Sequence, residues 1–180
     1  MLRLFAALAI PPEIGEGLIR RQHGLPNANW RPPEAFHVTL RFFGDVREDL
    51  AADLDDALTG LSSPALDLEL GGVGAFSEGD DLHAVWAGVV ANPNLNRLAK
   101  AIETAARRVG LIPDQRAYRP HLTLAYLRRP DPASVGQWIA ANNLLGSPAF
   151  KLDSFGLYSS RLSQAGSRYR LERSYRLQAG

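Results

Sequence analysis

The pattern of apolar and polar residues divides the chain into closely spaced predicted strands and helices. Continuous or alternating apolar runs predict strands, whereas apolar residues spaced three or four apart predict amphipathic helices. Strands are predicted at 2–10, around His37, at 65–76, at 82–90, around His121, and as a closing hairpin of 150–162 and 167–177. Helices are predicted at 12–24, 47–61, 92–110 and near 132–142. The segment "NWRPPEAF" is predicted to be a loop that leads into the His37 strand.

An internal repeat organises these elements. The sequence His37-x-Thr39 recurs as His121-x-Thr123, 84 residues later. At the same offset, "ALDLELGGVGAF" (65–76) lies over "AFKLDSFGLYSS" (149–160), and a predicted helix follows each His-x-Thr strand. The repeat predicts a bilobal α+β fold of two pseudo-two-fold related halves, with antiparallel sheets flanking a central cleft and helices on the outside. The whole chain, 1–180, is then a single domain of two interleaved lobes, with approximate repeats 1–80 and 81–180.

The duplicated motif predicts acid–base chemistry at phosphorus. Successive strand residues point to opposite faces, so His37, Thr39 and Arg41 are predicted to share one face, while Leu40 and Phe42 enter the core. In-line displacement at phosphorus needs a base for the incoming oxygen and an acid for the leaving oxygen. Histidine performs both roles near neutral pH, and paired threonine hydroxyls can hold the non-bridging phosphate oxygens.

Composition narrows the class of protein without deciding its chemistry. The net charge is +1, which argues against a bulk polycation that coats nucleic acid. Eighteen of the twenty basic residues, Lys and Arg together, are arginines. Either a codon or genome bias or a role in phosphate recognition would explain this excess, and composition does not decide between them. There is no cysteine, which fits an intracellular, cytoplasmic location. No apolar run reaches the ~20 residues of a membrane span, and the apolar run after Arg3 is too short for a signal peptide.

The quoted motifs and their flanks resemble a known family. The segments "RLFAALAIPPE", "WRPPEAFHVTLRFFGDV", "YRPHLTLAYLRR" and "LYSSRLSQAGSRYRLE" are similar to the 2H phosphoesterases, and specifically to the RNA 2′,3′-cyclic phosphodiesterase branch once labelled 2′-5′ RNA ligase. The resemblance covers nearly the whole chain. It implies a bilobal fold with a central cleft, no required metal or other cofactor, and hydrolysis of a 2′,3′-cyclic phosphate to a 2′-phosphate. The partner it implies is an RNA or oligonucleotide with a 2′,3′-cyclic phosphate end. The protein itself is expected to be a monomer.

The resemblance also implies roles for particular residues. His37 would protonate the departing 3′ oxygen as general acid, and His121 would activate water as general base, while Thr39 and Thr123 would hold the phosphate. The family often has an arginine five residues after the second histidine, where this chain has Tyr126. The residues expected to compensate on the phosphate are Arg41 from the first strand or Arg128 and its neighbour Arg129 from the second. The residues expected to stack on a base are Phe43 and Tyr126, although Tyr126 could simply pack.

Three other functions are compatible with the sequence. A metal hydrolase is disfavoured, because catalytic zinc takes three protein ligands and these histidines pair with threonine. A non-catalytic RNA-binding module could stack bases on Trp30, Phe43 and Tyr126, but binding alone does not need two titrating groups. RNA ligation is expected only as a side activity, since it reverses related phosphodiester chemistry.

Overall fold

The structure is a computed structural model, and it describes residues 1–79, 81–163 and 166–178. The strands are β1 Leu2–Ala9, β2 Ala28–Trp30, β3 His37–Val46, β4 Leu66–Leu68, β5 Leu70–Glu78, β6 Asp81–Val89, β7 His121–Leu127, β8 Phe150–Leu152, β9 Ser154–Ser163 and β10 Gly166–Arg176. The helices are α1 Pro12–Ile19, α2 Glu48–Thr59, α3 Pro93–Arg108 and α4 Pro132–Asn142, with a 3-10 turn at Pro33–Ala35. The predicted α+β class with antiparallel sheets is confirmed.

One sheet contains eight of the ten strands. Its order is β10-β9-β1-β3-β7-β6-β5, with β2 added beside β7, and β4 and β8 form a separate two-stranded sheet. Strand β1 is buried over its five central residues, because Leu4 through Leu8 are at most 3% exposed. The continuous apolar run that predicts this strand is typical of a strand covered on both faces.

The sheet consists of two arms that meet at one residue pair. The first arm is β10-β9-β1-β3 and the second is β7-β6-β5, and the two are joined where Val38 of β3 pairs with Leu122 of β7. Strand β5 precedes β7 in sequence but lies in the second arm, whereas β9 follows β7 and pairs with β1 in the first. The chain thus crosses between the arms in each half.

The element boundaries follow the 84-residue offset. Strand β4 starts at residue 66 and β8 at 150, β5 starts at 70 and β9 at 154, and α2 starts at 48 and α4 at 132. Strand β10 comes after the second copy of this series and closes the edge of the first arm. The division into two repeats of one domain stays a prediction, and these coincident starts support it.

The longest helix, α3, begins and packs as its sequence dictates. The side chain of Asn92 caps its N-terminus by accepting hydrogen bonds from the backbone N–H groups of Asn94 and Leu95, and Pro93 takes the first helical position, where no N–H is needed. Its buried stripe contains Leu95, Leu98, Ala99, Ile102, Ala105 and Ala106. The helix packs against β3 and α2. Within the described residues, no helix combines the length and apolarity needed to cross a bilayer.

Two predicted elements differ from the observed ones. The helix predicted at 12–24 ends at Ile19, because the chain turns there and the backbone N–H groups of Arg21 and Gln22 bond to carbonyls three residues earlier. The loop predicted at "NWRPPEAF" begins with the end of strand β2, which pairs with β7. A three-residue strand is too short to show periodicity, so its sequence gives no strand signal.

Candidate active site

The pairing between β3 and β7 brings the two His-x-Thr motifs together. Val38 and Leu122 are direct partners, and both side chains are fully buried. Partners across a sheet point to the same face, and side chains alternate along each strand. The motif side chains therefore share the opposite face of the sheet, named here the histidine face: His37, Thr39, His121 and Thr123.

The antiparallel register also sets which motif residues are neighbours. Continuing it by one residue in each direction from the central pair places His37 across from Thr123, and His121 across from Thr39. His37 and Thr123 therefore lie to one side of the central pair along the strands, and His121 and Thr39 lie to the other. All four side chains are half-buried, so they remain open to a ligand.

A β-bulge in β3 changes which residues join the histidine face. Ala7 of β1 lies opposite Thr39, and Ala6 lies opposite Arg41, so Leu40 is an extra residue without a partner. An extra residue reverses the alternation of the side chains that follow it. Leu40 and Arg41 are consequently both buried, although they are consecutive in the strand.

An equivalent bulge occurs in β7. Trp86 of β6 lies opposite Thr123, and Val85 lies opposite Ala125, so Leu124 is the extra residue. This bulge lies 84 residues after the first, and the two consecutive residues Leu124 and Ala125 are again both buried. The repeat therefore preserves an irregularity of the backbone as well as the motif itself.

The prediction that Arg41 shares a face with His37 and Thr39 is wrong. The bulge turns Arg41 to the face covered by α3, where its Nε lies 2.5 Å from a carboxylate oxygen of Glu103 and its Nη1 lies 3.5 Å from Asp114. The Arg41 side chain is 8% exposed. This guanidinium is neutralised within the protein on the far side of the sheet and is not a phosphate ligand of the histidine face.

The bulge also exchanges the predicted positions of two phenylalanines. Phe43, predicted to stack on a base, packs against the core with its ring centre 5.8 Å from the guanidinium carbon of Arg41. Phe42, predicted to enter the core, is half-buried, and the Arg3 guanidinium lies over its ring at 5.1 Å. The prediction that Phe43 stacks on a base is therefore wrong, because its ring lies on the α3 side of the sheet and not on the histidine face.

Tyr126 and Arg128 occupy different positions at the end of β7. Tyr126 follows the second bulge, at the position equivalent to Phe42, and is 44% exposed. Arg128 lies one residue beyond β7 and is exposed; its backbone N–H donates to the Asn27 carbonyl. Its guanidinium forms no ion pair with a carboxylate of the described ranges. A role for Arg128 on the phosphate stays a prediction.

The same backbone contact fixes the tautomer of each histidine. Nδ1 of His37 lies 2.8 Å from the carbonyl oxygen of Ala35, and Nδ1 of His121 lies 2.7 Å from that of Arg119. A carbonyl oxygen can only accept, so Nδ1 must carry the proton and donate it. In the neutral imidazole, Nε2 then has the free lone pair. Both histidines are therefore prepared to accept or donate a proton through Nε2.

Aromatic rings from neighbouring strands hold each imidazole. The ring centre of His37 is 5.1 Å from that of Phe5 and 5.1 Å from that of Tyr169, which meets it edge-on. The ring of His121 lies 4.6 Å from that of Phe76, also edge-on. Such contacts restrict ring rotation and exclude water. The ring of Tyr169 comes from β10, which has no counterpart in the first repeat, so the surroundings of the two histidines differ.

Both histidines titrate below their ordinary range. The pKa of His37 is lowered to about 4, mainly by burial and also by the positive charges of Arg31 and His121, against the opposing hydrogen bond to Ala35. Burial also lowers the pKa of His121, against its bond to Arg119. Both imidazoles are consequently neutral at pH 7 in the free protein. The positive charge of His121 is thus one of the causes at His37, so the two imidazoles interact electrostatically.

Arg31 is a further residue of this site, which no sequence motif predicted. Arg31 directly follows β2, and its backbone N–H donates to the Leu124 carbonyl at the second bulge over 2.8 Å. Its guanidinium carbon lies 5.6 Å from the ring centre of Tyr126 and 5.5 Å from that of Tyr169. The sequence does show an arginine next to Trp30 and six residues before His37. It lies in the segment predicted to be a loop, for which no side-chain direction can be predicted.

The described residues give no obvious site for a divalent metal. Among residues 1–79, 81–163 and 166–178, no three histidine, cysteine, aspartate or glutamate side chains converge as ligands. The groups that meet on the histidine face are two imidazoles, two hydroxyls and one guanidinium. These groups can transfer protons and donate hydrogen bonds to an anion.

Known proteins share both the sequence and the fold of this chain. Residues 12–164 match the family model described as the 2′-5′ RNA ligase superfamily. The chain is 35% identical over 96 residues to the RNA 2′,3′-cyclic phosphodiesterase of Aeropyrum pernix, and this match spans 53% of the chain and only 54% of that relative. It is 30% identical over 176 residues to the RNA 2′,3′-cyclic phosphodiesterase of Escherichia coli, covering 93% of the chain and 92% of the relative.

A solved structure supports the same relationship. The structure of Escherichia coli LigT complexed with 3′-AMP superposes with a TM-score of 0.81 at 26% identity, and 98% of each chain is covered. The family match extends over most of the chain and includes both His-x-Thr motifs. The chain belongs to the 2′-5′ RNA ligase superfamily of 2H phosphoesterases.

Proposed function

We propose that this protein hydrolyses a 2′,3′-cyclic phosphate at the end of an RNA or nucleotide, leaving a 2′-phosphate and a free 3′ hydroxyl. The observation that carries the proposal is the paired histidines on one face, each with Nδ1 bonded to a backbone carbonyl and Nε2 free. The similarity to proteins named RNA 2′,3′-cyclic phosphodiesterase supports it. A binding module would not need two proton-transfer groups of fixed tautomer.

The reaction uses one histidine on each side of the phosphorus. Nε2 of His121 accepts a proton from water as the water oxygen forms a bond to phosphorus. The bond between phosphorus and the 3′ oxygen breaks, and protonated His37 donates its Nε2 proton to that oxygen. The side chains of Thr39 and Thr123 donate hydrogen bonds to the non-bridging oxygens, where negative charge grows in the transition state.

The bound substrate supplies the charge that the free site lacks. In the free protein His37 is neutral at pH 7, because its pKa is lowered to about 4. The cyclic phosphate carries one negative charge, and an anion beside an imidazole raises its pKa. Once protonated in this way, His37 is a strong acid for the leaving oxygen. Proton transfer from a residue with such a tuned pKa is a common source of rate enhancement.

The decisive experiment compares RNA ends that differ only in the phosphate. The protein is incubated with one oligonucleotide ending in a 2′,3′-cyclic phosphate and with the same oligonucleotide ending in a 3′-phosphate, and the products are identified by ³¹P NMR. We expect the cyclic end alone to react and to yield the 2′-phosphate. Excess EDTA after dialysis is not expected to reduce the rate, because the proposed chemistry uses only side chains.

Each competing function predicts a different result in the same assay. A non-catalytic module would bind both RNAs without turnover. A metal hydrolase would lose activity on chelation and regain it with zinc or manganese. A second RNA with a free 5′ hydroxyl, added to the cyclic end, would reveal ligation as a joined product. A 3′-phosphate product would contradict the assigned direction of ring opening.

The pH dependence of kcat/KM is expected to be a bell with its maximum below pH 6.5. The productive state has one protonated and one neutral imidazole. The pKa of His37 is lowered to about 4 and that of His121 is also lowered, so this state is lost by double protonation at low pH and by double deprotonation as pH approaches 6.5. Because kcat/KM reports the free enzyme, these shifts apply directly to it.

The profile of kcat is expected to lie at higher pH, because the phosphate anion in the complex raises both pKa values. Initial rates across pH 4–9 at low and saturating substrate separate the two profiles. The limbs belong to the histidine pair rather than to individual residues. A kcat/KM that only rises between pH 5 and 9 would contradict the requirement for a protonated imidazole.

A further inference from the structure

Two arginines of this chain are equally buried but differ in whether a carboxylate of the protein neutralises their charge. Arg31 and Arg41 are each 8% exposed. The guanidinium of Arg41 is matched by the carboxylates of Glu103 and Asp114. No carboxylate in the described parts of the chain lies within ion-pair distance of Arg31. A buried charge without a counter-ion is costly, so its retention points to an anion that comes from outside the protein.

The backbone of Arg31 is fixed on both sides. Its N–H donates to the Leu124 carbonyl over 2.8 Å, and its carbonyl accepts a hydrogen bond from Nε2 of Gln22 over 2.7 Å. Two prolines follow, Pro32 and Pro33, and each has a restricted φ. The side chain of Arg31 therefore extends from a rigid point at the bulge beside Thr123.

Two tyrosines from opposite arms orient the guanidinium. Tyr126 lies on β7 in the second arm and Tyr169 on β10 in the first, with ring centres 5.6 and 5.5 Å from the guanidinium carbon. Burial raises the pKa of Tyr126, and the neighbouring Tyr169 raises it as well. Aromatic faces hold an arginine without using its N–H donors. Those donors remain available for an anion.

The guanidinium lies on the His37 side of the pair. Its positive charge is one cause of the lowered pKa of His37, whereas it is not among the causes for His121. Tyr169, which contacts Arg31, also meets His37 edge-on at 5.1 Å. Arg31 is therefore near the end of the site at which the proposed reaction releases its leaving oxygen.

We propose that Arg31 is the cation that binds the substrate phosphate, donating in-plane hydrogen bonds to a non-bridging oxygen on the His37 side while Tyr126 and Tyr169 hold its faces. This inference rests on the proposed function in one respect, that a phosphate occupies the histidine face. A planar guanidinium can bond two oxygens of one phosphate, which suits a group that must also stabilise the charge of the transition state.

Three variants test the inference. Arg31→Met removes the charge and keeps an unbranched stem, Arg31→Lys keeps the charge without the planar fork, and Arg107→Met is the control on the exposed surface of α3. Phosphate affinity is measured by NMR titration with inorganic phosphate, following the imidazole signals of His37 and His121. Turnover on the cyclic phosphate is measured separately. Amide spectra report whether each variant is folded.

Arg31→Met is expected to weaken phosphate binding by at least about tenfold, as for the loss of a hydrogen bond to a charged group. It should also raise KM and move the acid limb of the kcat/KM profile to higher pH, because a positive charge beside His37 is lost. Arg31→Lys should keep the acid limb low and recover part of the binding. Arg107→Met should match the wild type in all three measurements.

Two results would overturn the inference about Arg31. If Arg31→Met is folded and binds phosphate as tightly as the wild type, the guanidinium only braces the two tyrosines and the inference is wrong. If the variant does not fold, unchanged phosphate affinity in Arg31→Lys would overturn the forked contact. Phosphate binding is measured without turnover, so a wild type that binds phosphate through Arg31 but leaves cyclic ends intact would refute the proposed function and leave this inference standing.

Discussion

Replacing His37 or His121 by asparagine is expected to lower kcat on a cyclic phosphate by about 10²–10⁴-fold, the usual contribution of a general acid or base. Asparagine is the informative choice, because its side-chain amide can donate to the Ala35 or Arg119 carbonyl as Nδ1 does. Only the Nε2 position is lost. The fold should therefore survive, and thermal unfolding should show this. His23→Asn, at an exposed histidine, provides the matched control.

The double variant should be little slower than the slower single variant, since the two histidines act on one phosphorus as a unit. Single-turnover rates with saturating substrate separate this effect from weaker binding. Additive losses would instead show that the histidines contribute independently. Near-full activity in either single variant would remove that histidine from the mechanism.

Replacing Thr39 or Thr123 by valine is expected to lower kcat by about 10²–10³-fold, the range seen when one donor to a developing oxyanion is removed. Valine keeps the β-branched shape that suits a strand, so packing changes little. Serine at the same position should recover much of the activity, because it restores the hydroxyl. Thr104→Val, on the exposed face of α3, is the control for the substitution itself.

Comparing the change in kcat with the change in KM distinguishes two roles for these hydroxyls. A donor that acts mainly in the transition state lowers kcat and leaves KM nearly unchanged. A donor that binds ground-state phosphate equally well raises KM alone, and that result would contradict the assignment. Serine variants as slow as the valine variants would point to the methyl group, and therefore to packing.

Local sequence patterns predicted most of the fold because they depend on the chain itself. The apolar run of β1, the helical spacing of α3 and the repeat of His-x-Thr at 84 residues are each visible in the sequence. Alternation along the strands placed His37 and Thr39 on one face, since the first bulge comes only after Thr39. The same argument placed His121 and Thr123.

Alternation failed for the residues that directly follow the bulge at Leu40. The extra residue at Leu40 sends Arg41 and Phe43 to the α3 side and leaves Phe42 on the histidine face. Nothing in the apolar pattern marks this position, because the bulge arises from pairing with β1. Arg31 was missed for a related reason. Its place depends on its backbone bond to Leu124, 93 residues later in the chain, which no local pattern encodes.

The single backbone pair between the two arms has a mechanical consequence for the site. Long ladders stiffen β1 against β3 and β6 against β7, whereas β3 and β7 share only Val38 and Leu122. Within the sheet, the line that separates the two imidazoles therefore has the fewest paired residues. A rotation of one arm about this pair would change the gap between His37 and His121, and it would leave the carbonyl contact of each ring intact, because each contact is made two residues before its own histidine. Each proton-transfer group can stay rigid in its own arm while the space between them adapts to the RNA end that enters.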